Sequence, residues 1–176
     1  MKKTNHVVSL FAAFAILGVA GLAALWMALG VSPAEAAGDP IVVIVNSSNP
    51  VDNLSMGELK KLFLSDRSHW DTGKAVAPVM LAPGAPERTS FLKIICGMND
   101  ADLGKYFMQA AFTGKSATPP KEVSSPGAVK AFVASSPGAI GFVKGLDFHG
   151  DGNDGGIKAV KIDGVAAGDP AYKLKM

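Results

Sequence analysis

One segment of the chain, residues 83–95, brings a guanidinium and two hydroxyls to the predicted start of a helix. It reads PGAPERTSFLKII, and a helix that begins after a strand presents unpaired backbone N–H groups and a partial positive charge. Arg88, Thr89 and Ser90 could complete an oxyanion site at that point. The same residue types also begin ordinary helices, with Arg88 in solvent. Residue types alone therefore leave an anion site and a plain helix start both open.

A second polar group follows the strand predicted over Ile41–Asn46. Asn46 and Ser47 open the segment NSSNP and would lie just past that strand, at the end of the sheet where open α/β folds bind ligands. Asn, Ser and Pro are also common turn formers. The predicted ligand residues are thus Arg88, Thr89, Ser90, Asn46 and Ser47, and a simple turn remains the alternative for the last two.

Other polar patterns do not support metal binding or catalysis. The DGNDGG segment starts at Asp151, and Asp151 and Asn153 fit the alternating oxygen ligands of a calcium loop. Gly155 takes the next ligand position and no Glu follows at the required distance, so we interpret the segment as a loop. His69 and His149 have no second His or Cys at metal-ligand spacing. We expect no metal, no cofactor and no enzyme activity, since neither a Ser–His–Asp order nor paired carboxylates can be assembled.

Cys96 is the only cysteine, so no internal disulfide can form. Its neighbours Ile94 and Ile95 indicate a buried thiol that behaves as a small apolar side chain. A redox or intermolecular role is the alternative for a free cysteine in an exported protein.

The N-terminal residues 1–37 have the pattern of a secretory signal peptide. Two lysines precede an apolar stretch over residues 7–31, and the segment SPAEAA favours cleavage after Ala36 or Ala37. The apolar stretch is also long enough to span a bilayer, so an uncleaved anchor is the alternative. The prediction is an exported, periplasmic domain over residues 38–176, with membrane contact only if the leader remains.

The remaining part of the chain, about 140 residues, is the size of one ordinary domain. A formal net charge of +2 leaves no basic field of the kind that binds nucleic acid.

The predicted elements of this domain alternate between strands and helices. Ser55 and Glu58 form a capping box, and Asn99 caps a later helix. Pro78 in the second strand predicts an edge position or an irregularity, and Gly141 in a later strand predicts a bulge or a close backbone approach. The order β-α-β-α-α-α-β-β predicts an α/β domain of two or three layers.

Three segments together resemble the periplasmic phosphate-binding proteins. They are IVVIVNSSNPVDNLSMGELKKLFLSDRSHW, SSPGAIGFV and KIDGVAAGDPAYKL. Members of that family are extracytoplasmic solute receptors of ABC transporters with the type II periplasmic-binding-protein fold. The resemblance implies a mixed sheet flanked by helices, and a phosphate ion that two lobes hold through backbone N–H groups, hydroxyls, an Arg and an Asp.

The chain departs from that family in length and in its anion loop. It is about half as long, which implies a single lobe. Ala82 follows Leu81 where the family has its Arg, and only Thr89 and Ser90 lie near the family's helix-start hydroxyls. The resemblance thus implies weak binding of phosphate or another oxyanion, or binding completed by a permease or a second protein. A non-transport protein-interaction or sensory module is the alternative.

Overall fold

The computed structural model describes residues 38–149 and 155–176. The predicted leader and residues 150–154 of the DGNDGG segment lie outside the described residues. The elements, in chain order, are β1 (Ile41–Asn46), β2 (Asn53–Leu54), α1 (Met56–Phe63), β3 (Ala77–Leu81), α2 (Pro86–Phe91), a π-helical turn (Leu92–Cys96), α3 (Asp100–Phe112), β4 (Lys121–Val123), α4 (Pro126–Ser135), β5 (Ala139–Lys144), a 3₁₀ turn (Gly145–Asp147), β6 (Ile157–Ala159) and β7 (Lys161–Ile162).

The main sheet is mixed, with the strand order β4-β3-β5-β1-β6. Strand β3 pairs in parallel with β4 and β5, whereas β1 runs antiparallel to both β5 and β6. We call the end of the sheet marked by Leu81, Val123 and Lys144 its carboxyl end. Because β1 runs the other way, Ile41 pairs with Lys144 at this end, and Asn46 lies at the opposite end.

Helices cover both faces of the sheet, which makes three layers. On one face, α1, α2 and α3 enclose an aromatic cluster in which Phe91 stacks on Phe142 at a centroid distance of 4.0 Å and touches Phe63 at 4.7 Å. On the other face, α4 packs Val129 and Val133 onto the sheet. The predicted α/β lobe with a mixed sheet and flanking helices is confirmed.

The predicted helix starts are confirmed by their hydrogen bonds. Ser55 and Glu58 form a reciprocal capping box, and the Ser55 backbone N–H lowers the pKa of Glu58. Asn99 caps α3 in the same way with Asp102. These caps satisfy backbone N–H groups that a helix start leaves unpaired.

Pro78 lies in an interior strand, not an edge strand, but its missing N–H interrupts no pairing with β4. Strand β4 pairs only with Val79, Met80 and Leu81, so the part of β3 that contains Pro78 has a neighbour on one side alone. Proline has no backbone N–H to donate to a neighbouring strand, and at Pro78 no strand on the β4 side requires one.

Cys96 is 5% exposed, and burial raises the pKa of its thiol to about 11. Its buried environment, predicted from the sequence, is confirmed. We expect the folded protein to react with iodoacetamide at pH 8 far more slowly than the urea-unfolded protein, because the thiolate is the reactive species. Equal alkylation rates for the folded and unfolded protein would contradict the burial of Cys96.

The raised pKa of Cys96 makes the folded state less stable at high pH. The unfolded thiol, with a pKa near 9.0, ionises first, so the stabilisation from this group is complete below that pH and is lost as pH rises through about 11.

No helix within the described ranges is both long and apolar enough to cross a bilayer.

Candidate functional site

Arg88 lies in the first turns of α2 with its side chain only 3% exposed. Its Nε donates to Asp100 Oδ1 at 2.5 Å, and its Nη1 donates to Glu122 Oε1 and to the Leu81 carbonyl, both at 2.7 Å. We call Arg88, Asp100 and Glu122 the Arg88 cluster. The alternative of a solvent-exposed Arg88 is wrong, because the side chain is buried and paired with two carboxylates, and it joins α2 to α3, β3 and β4.

The two neighbouring residues with hydroxyls, Thr89 and Ser90, do not line the hollow that Arg88 lines. Thr89 is exposed and donates to the Ala85 carbonyl at 3.2 Å. Thr89 lines a hollow of about 340 Å³ together with Lys93 and Asp102, whereas Arg88 lines a different one of about 320 Å³. Ser90 is half-buried. The structure therefore does not gather these three residues around one ligand position.

Asn46 and Ser47 lie at the opposite end of the sheet from α2. Asn46 is buried, and its Nδ2 donates to the carbonyls of Val133 and Ala134 at 2.9 and 2.8 Å, at the end of α4. Ser47 is exposed, and its backbone N–H donates to the Gly156 carbonyl at 2.8 Å.

The expectation that these two residues share the ligand end of the sheet is wrong, because β1 is antiparallel to its neighbours. One small ligand cannot contact both groups of predicted residues. Ligand binding by Arg88, Thr89, Ser90, Asn46 or Ser47 stays a prediction.

A second ion pair at the carboxyl end was not predicted from the sequence. Lys144, at the end of β5, places its Nζ 3.6 Å from Oε1 of the buried Glu87, in the first turn of α2. A carboxylate there is also stabilised by the positive end of the helix. The motif Pro86-Glu87 at a helix start was a signal for this acid, but its partner comes from a distant strand.

These groups give the part of the carboxyl end beside α2 a negative balance. The cations Arg88 and Lys144 face three carboxylates, those of Glu87, Asp100 and Glu122. An added oxyanion would therefore have to compete with carboxylates of the protein itself.

A cleft of about 510 Å³ opens at the same end of the sheet, between the start of β1 and the end of β6. This terminal cleft has mainly apolar walls, and Asp39 and Lys161 are its charged residues; the apolar side chains are Val42, Leu146, Phe148, Val160, Ala166 and Ala167. Its volume lies within the usual range of small-molecule sites, about 300–1,000 Å³.

Within residues 38–149 and 155–176, no three His, Cys, Asp or Glu side chains are grouped closely enough to hold a metal ion. His69 is exposed, and its Nδ1 lies 3.0 Å from the Ser68 hydroxyl. His149 is exposed as well.

The three-dimensional arrangement is similar to that of solved phosphate receptors. A Clostridium perfringens protein assigned as a phosphate ABC transporter substrate-binding protein, crystallised with bound phosphate, superimposes with a TM-score of 0.57 and 23% identity over 74% of this chain and 48% of that one. An ABC-type phosphate transport receptor from Vibrio cholerae superimposes with a TM-score of 0.56 and 20% identity, over 72% of this chain and 47% of the receptor. PstS from Borrelia burgdorferi superimposes with a TM-score of 0.58 and 12% identity, over 73% of this chain and 49% of PstS.

No family model matches the sequence. The chain spans about half the length of these solved structures. Its described domain has the periplasmic-binding-protein fold of one lobe, a five-stranded mixed sheet flanked by helices.

Proposed function

We propose that the domain is a receptor-type solute-binding module, and not an enzyme, whose ligand region is the carboxyl end of the sheet. Two of the solved proteins that it resembles are described as a phosphate ABC transporter substrate-binding protein and an ABC-type phosphate transport receptor. In open α/β sheets, ligands favour the crevice beyond the carboxyl ends of the strands. The predicted leader supports export to the periplasm as part of the same proposal.

We further propose that an oxyanion such as phosphate binds there only weakly. The observation that carries this step is the pairing of the two cations beside α2, Arg88 and Lys144, with internal carboxylates. An exposed ion pair contributes about 0–1 kcal/mol, and helix-end N–H groups about 0.3–1 kcal/mol. Millimolar affinity already requires about 4 kcal/mol. These contributions sum to no more than about 2 kcal/mol, so we expect a dissociation constant only of the order of 10 mM, unless a permease or another protein closes the site.

A melting experiment tests this proposal. With a Kd of about 10 mM, 50 mM phosphate should stabilise the native state by about 1 kcal/mol and raise the melting temperature by about 3 °C over chloride at equal ionic strength. The effect should saturate with phosphate concentration. A melting curve that responds only to ionic strength would contradict oxyanion binding.

Two variants locate the effect. Lys144→Gln should abolish the phosphate response, whereas Glu87→Gln should strengthen it about tenfold, because it frees Lys144 from its carboxylate. Lys158→Gln is the matched control, since Lys158 pairs with Asp52 elsewhere on the surface and should leave the response unchanged. A response that Lys158→Gln removes and Lys144→Gln retains would place the anion elsewhere.

The paired cations also favour a second candidate function, a non-transport protein-interaction or sensory module on the same lobe. Under that function, neither the wild-type protein nor Glu87→Gln would respond to phosphate.

A further inference from the structure

A hollow of about 330 Å³ lies beside the first half of β3, at the end of the sheet opposite its carboxyl end. Strand β4 pairs only with residues 79–81, so among the described strands none pairs with this side of Ala77 and Pro78. The residues that lead into β4, Ser116 and Thr118 among them, form another wall of the hollow. We call this space the β3–β4 hollow.

Both charged side chains that line the β3–β4 hollow are cations, Arg67 and Lys121. Arg67 Nη2 donates to Asp71 at 2.5 Å, but its Nη1 lies 3.8 Å from Glu58 Oε1, beyond hydrogen-bond distance. Lys121 has no ion pair within residues 38–149 and 155–176, and its Nζ lies 4.4 Å from the centre of the Phe132 ring. An anion that enters the hollow therefore meets positive side chains and no carboxylate in its lining.

Four hydroxyl groups also line the β3–β4 hollow. Ser65 Oγ donates to the Thr118 carbonyl at 2.6 Å, and Ser68 Oγ lies 3.0 Å from His69 Nδ1. The hydroxyls of Ser116 and Thr118 have no hydrogen-bond partner in the part of the chain that the structure describes. A hydroxyl can donate to an oxygen of a bound anion, so these two groups add neutral donors to the two cations.

The other walls of the β3–β4 hollow are apolar and include the half-buried Val76, Pro78 and Phe132. A flat organic ring can pack against such walls and remove apolar surface from water. The volume is at the lower end of the usual range for small-molecule sites, about 300–1,000 Å³. The hollow therefore fits a small ligand that has both a negative group and an apolar part.

We propose that the β3–β4 hollow binds a small aromatic carboxylate, with the carboxylate toward Arg67 and Lys121 and the ring on the apolar walls. A guanidinium and an ammonium form charge-assisted hydrogen bonds with a carboxylate. The apolar walls favour an organic anion over inorganic phosphate, which has no apolar part. The site lies at the opposite end of the sheet from the proposed oxyanion region, and it takes a different class of ligand.

The binding should be weak, because the hollow is open and exposed cations contribute little. Benzoate is the probe, added to the isotopically labelled protein at constant ionic strength. We expect saturable amide shifts at Ser68, Ser116, Thr118 and Lys121, with a dissociation constant of about 1 mM. Benzamide has the ring without the charge, and inorganic phosphate has the charge without the ring; each should bind here at least tenfold more weakly. Benzoate shifts centred on Lys144, equal binding of benzoate and benzamide, or no shifts up to 20 mM benzoate would overturn the proposal.

Charge reversal tests the position of the carboxylate. Lys121 is exposed, and Lys121→Glu should weaken benzoate binding at least tenfold, because it places a negative charge in the lining. Lys173→Glu is the matched control, the same change of charge at an exposed residue outside the hollow, and should keep the dissociation constant within twofold. Lys144→Gln should leave benzoate binding unchanged, so this test is separate from that of the proposed oxyanion region. A Lys121→Glu protein that binds benzoate like the wild type, or a Lys173→Glu protein that loses as much binding, would overturn the proposal.

Discussion

Replacing Arg88 with alanine should lower the free energy of unfolding by about 3 kcal/mol, the lower end of the range for breaking a buried ion pair. The guanidinium is 3% exposed, whereas Asp100 and Glu122 are 33% and 51% exposed and can regain water when it is removed. The Leu81 carbonyl would also lose a hydrogen bond of 2.7 Å. Urea unfolding of the variant and the wild type measures the difference.

Arg67→Ala is the matched control. Arg67 also contacts two carboxylates, those of Glu58 and Asp71, but the three side chains are 24%, 45% and 94% exposed. Exposed ion pairs contribute about 0–1 kcal/mol, so this variant should lose less than 1 kcal/mol. If Arg88→Ala loses no more than Arg67→Ala, then Arg88 is not the buried link between α2, α3, β3 and β4.

Replacing Gly141 with alanine should cost about 1–3 kcal/mol, the usual penalty for overpacking a core. Gly141 lies in the middle of β5, where α4 crosses the sheet. A Cβ at this position would lie 2.7 Å from Val129 Cγ1 and 2.9 Å from Val79 Cγ1. Both valines are fully buried, so α4 or β3 would have to move. The close approach predicted from a glycine within a strand pattern is confirmed.

Gly104→Ala is the control for Gly141→Ala, and it should raise the free energy of unfolding where Gly141→Ala lowers it. The new methyl group meets no atom within 4 Å, and alanine is favoured over glycine in a helix by about 1 kcal/mol. Thermal melts compare the two variants. A loss of stability in Gly104→Ala, or none in Gly141→Ala, would contradict this account of the packing.

Local signals in the sequence predicted most of the fold. Capping boxes and apolar periodicity act over a few positions, so the helix starts at Ser55 and Asn99 could be identified directly. The three-residue strand β4 was missed, because Lys121, Glu122 and Val123 are too few to show a period.

The candidate site was harder to predict because it depends on contacts between distant residues. Strand direction is not visible in a run such as IVVIVN, so Asn46 was placed at the wrong end of the sheet. Arg88 finds its carboxylates 12 and 34 residues away, and no local pattern shows that pairing. Residue types could propose an anion site at α2, but only tertiary structure shows that internal carboxylates compete for its cations.

The position of a bound oxyanion tests the central claim most directly. Amide resonances of the isotopically labelled protein can be followed by NMR as phosphate is added at constant ionic strength. We predict saturable shifts, with a Kd near 10 mM, at Glu87, Arg88 and Lys144, and no shifts at Asn46 and Ser47. Shifts centred on Asn46 and Ser47, or none at up to 100 mM phosphate, would contradict the proposal that the carboxyl end of the sheet is the binding region.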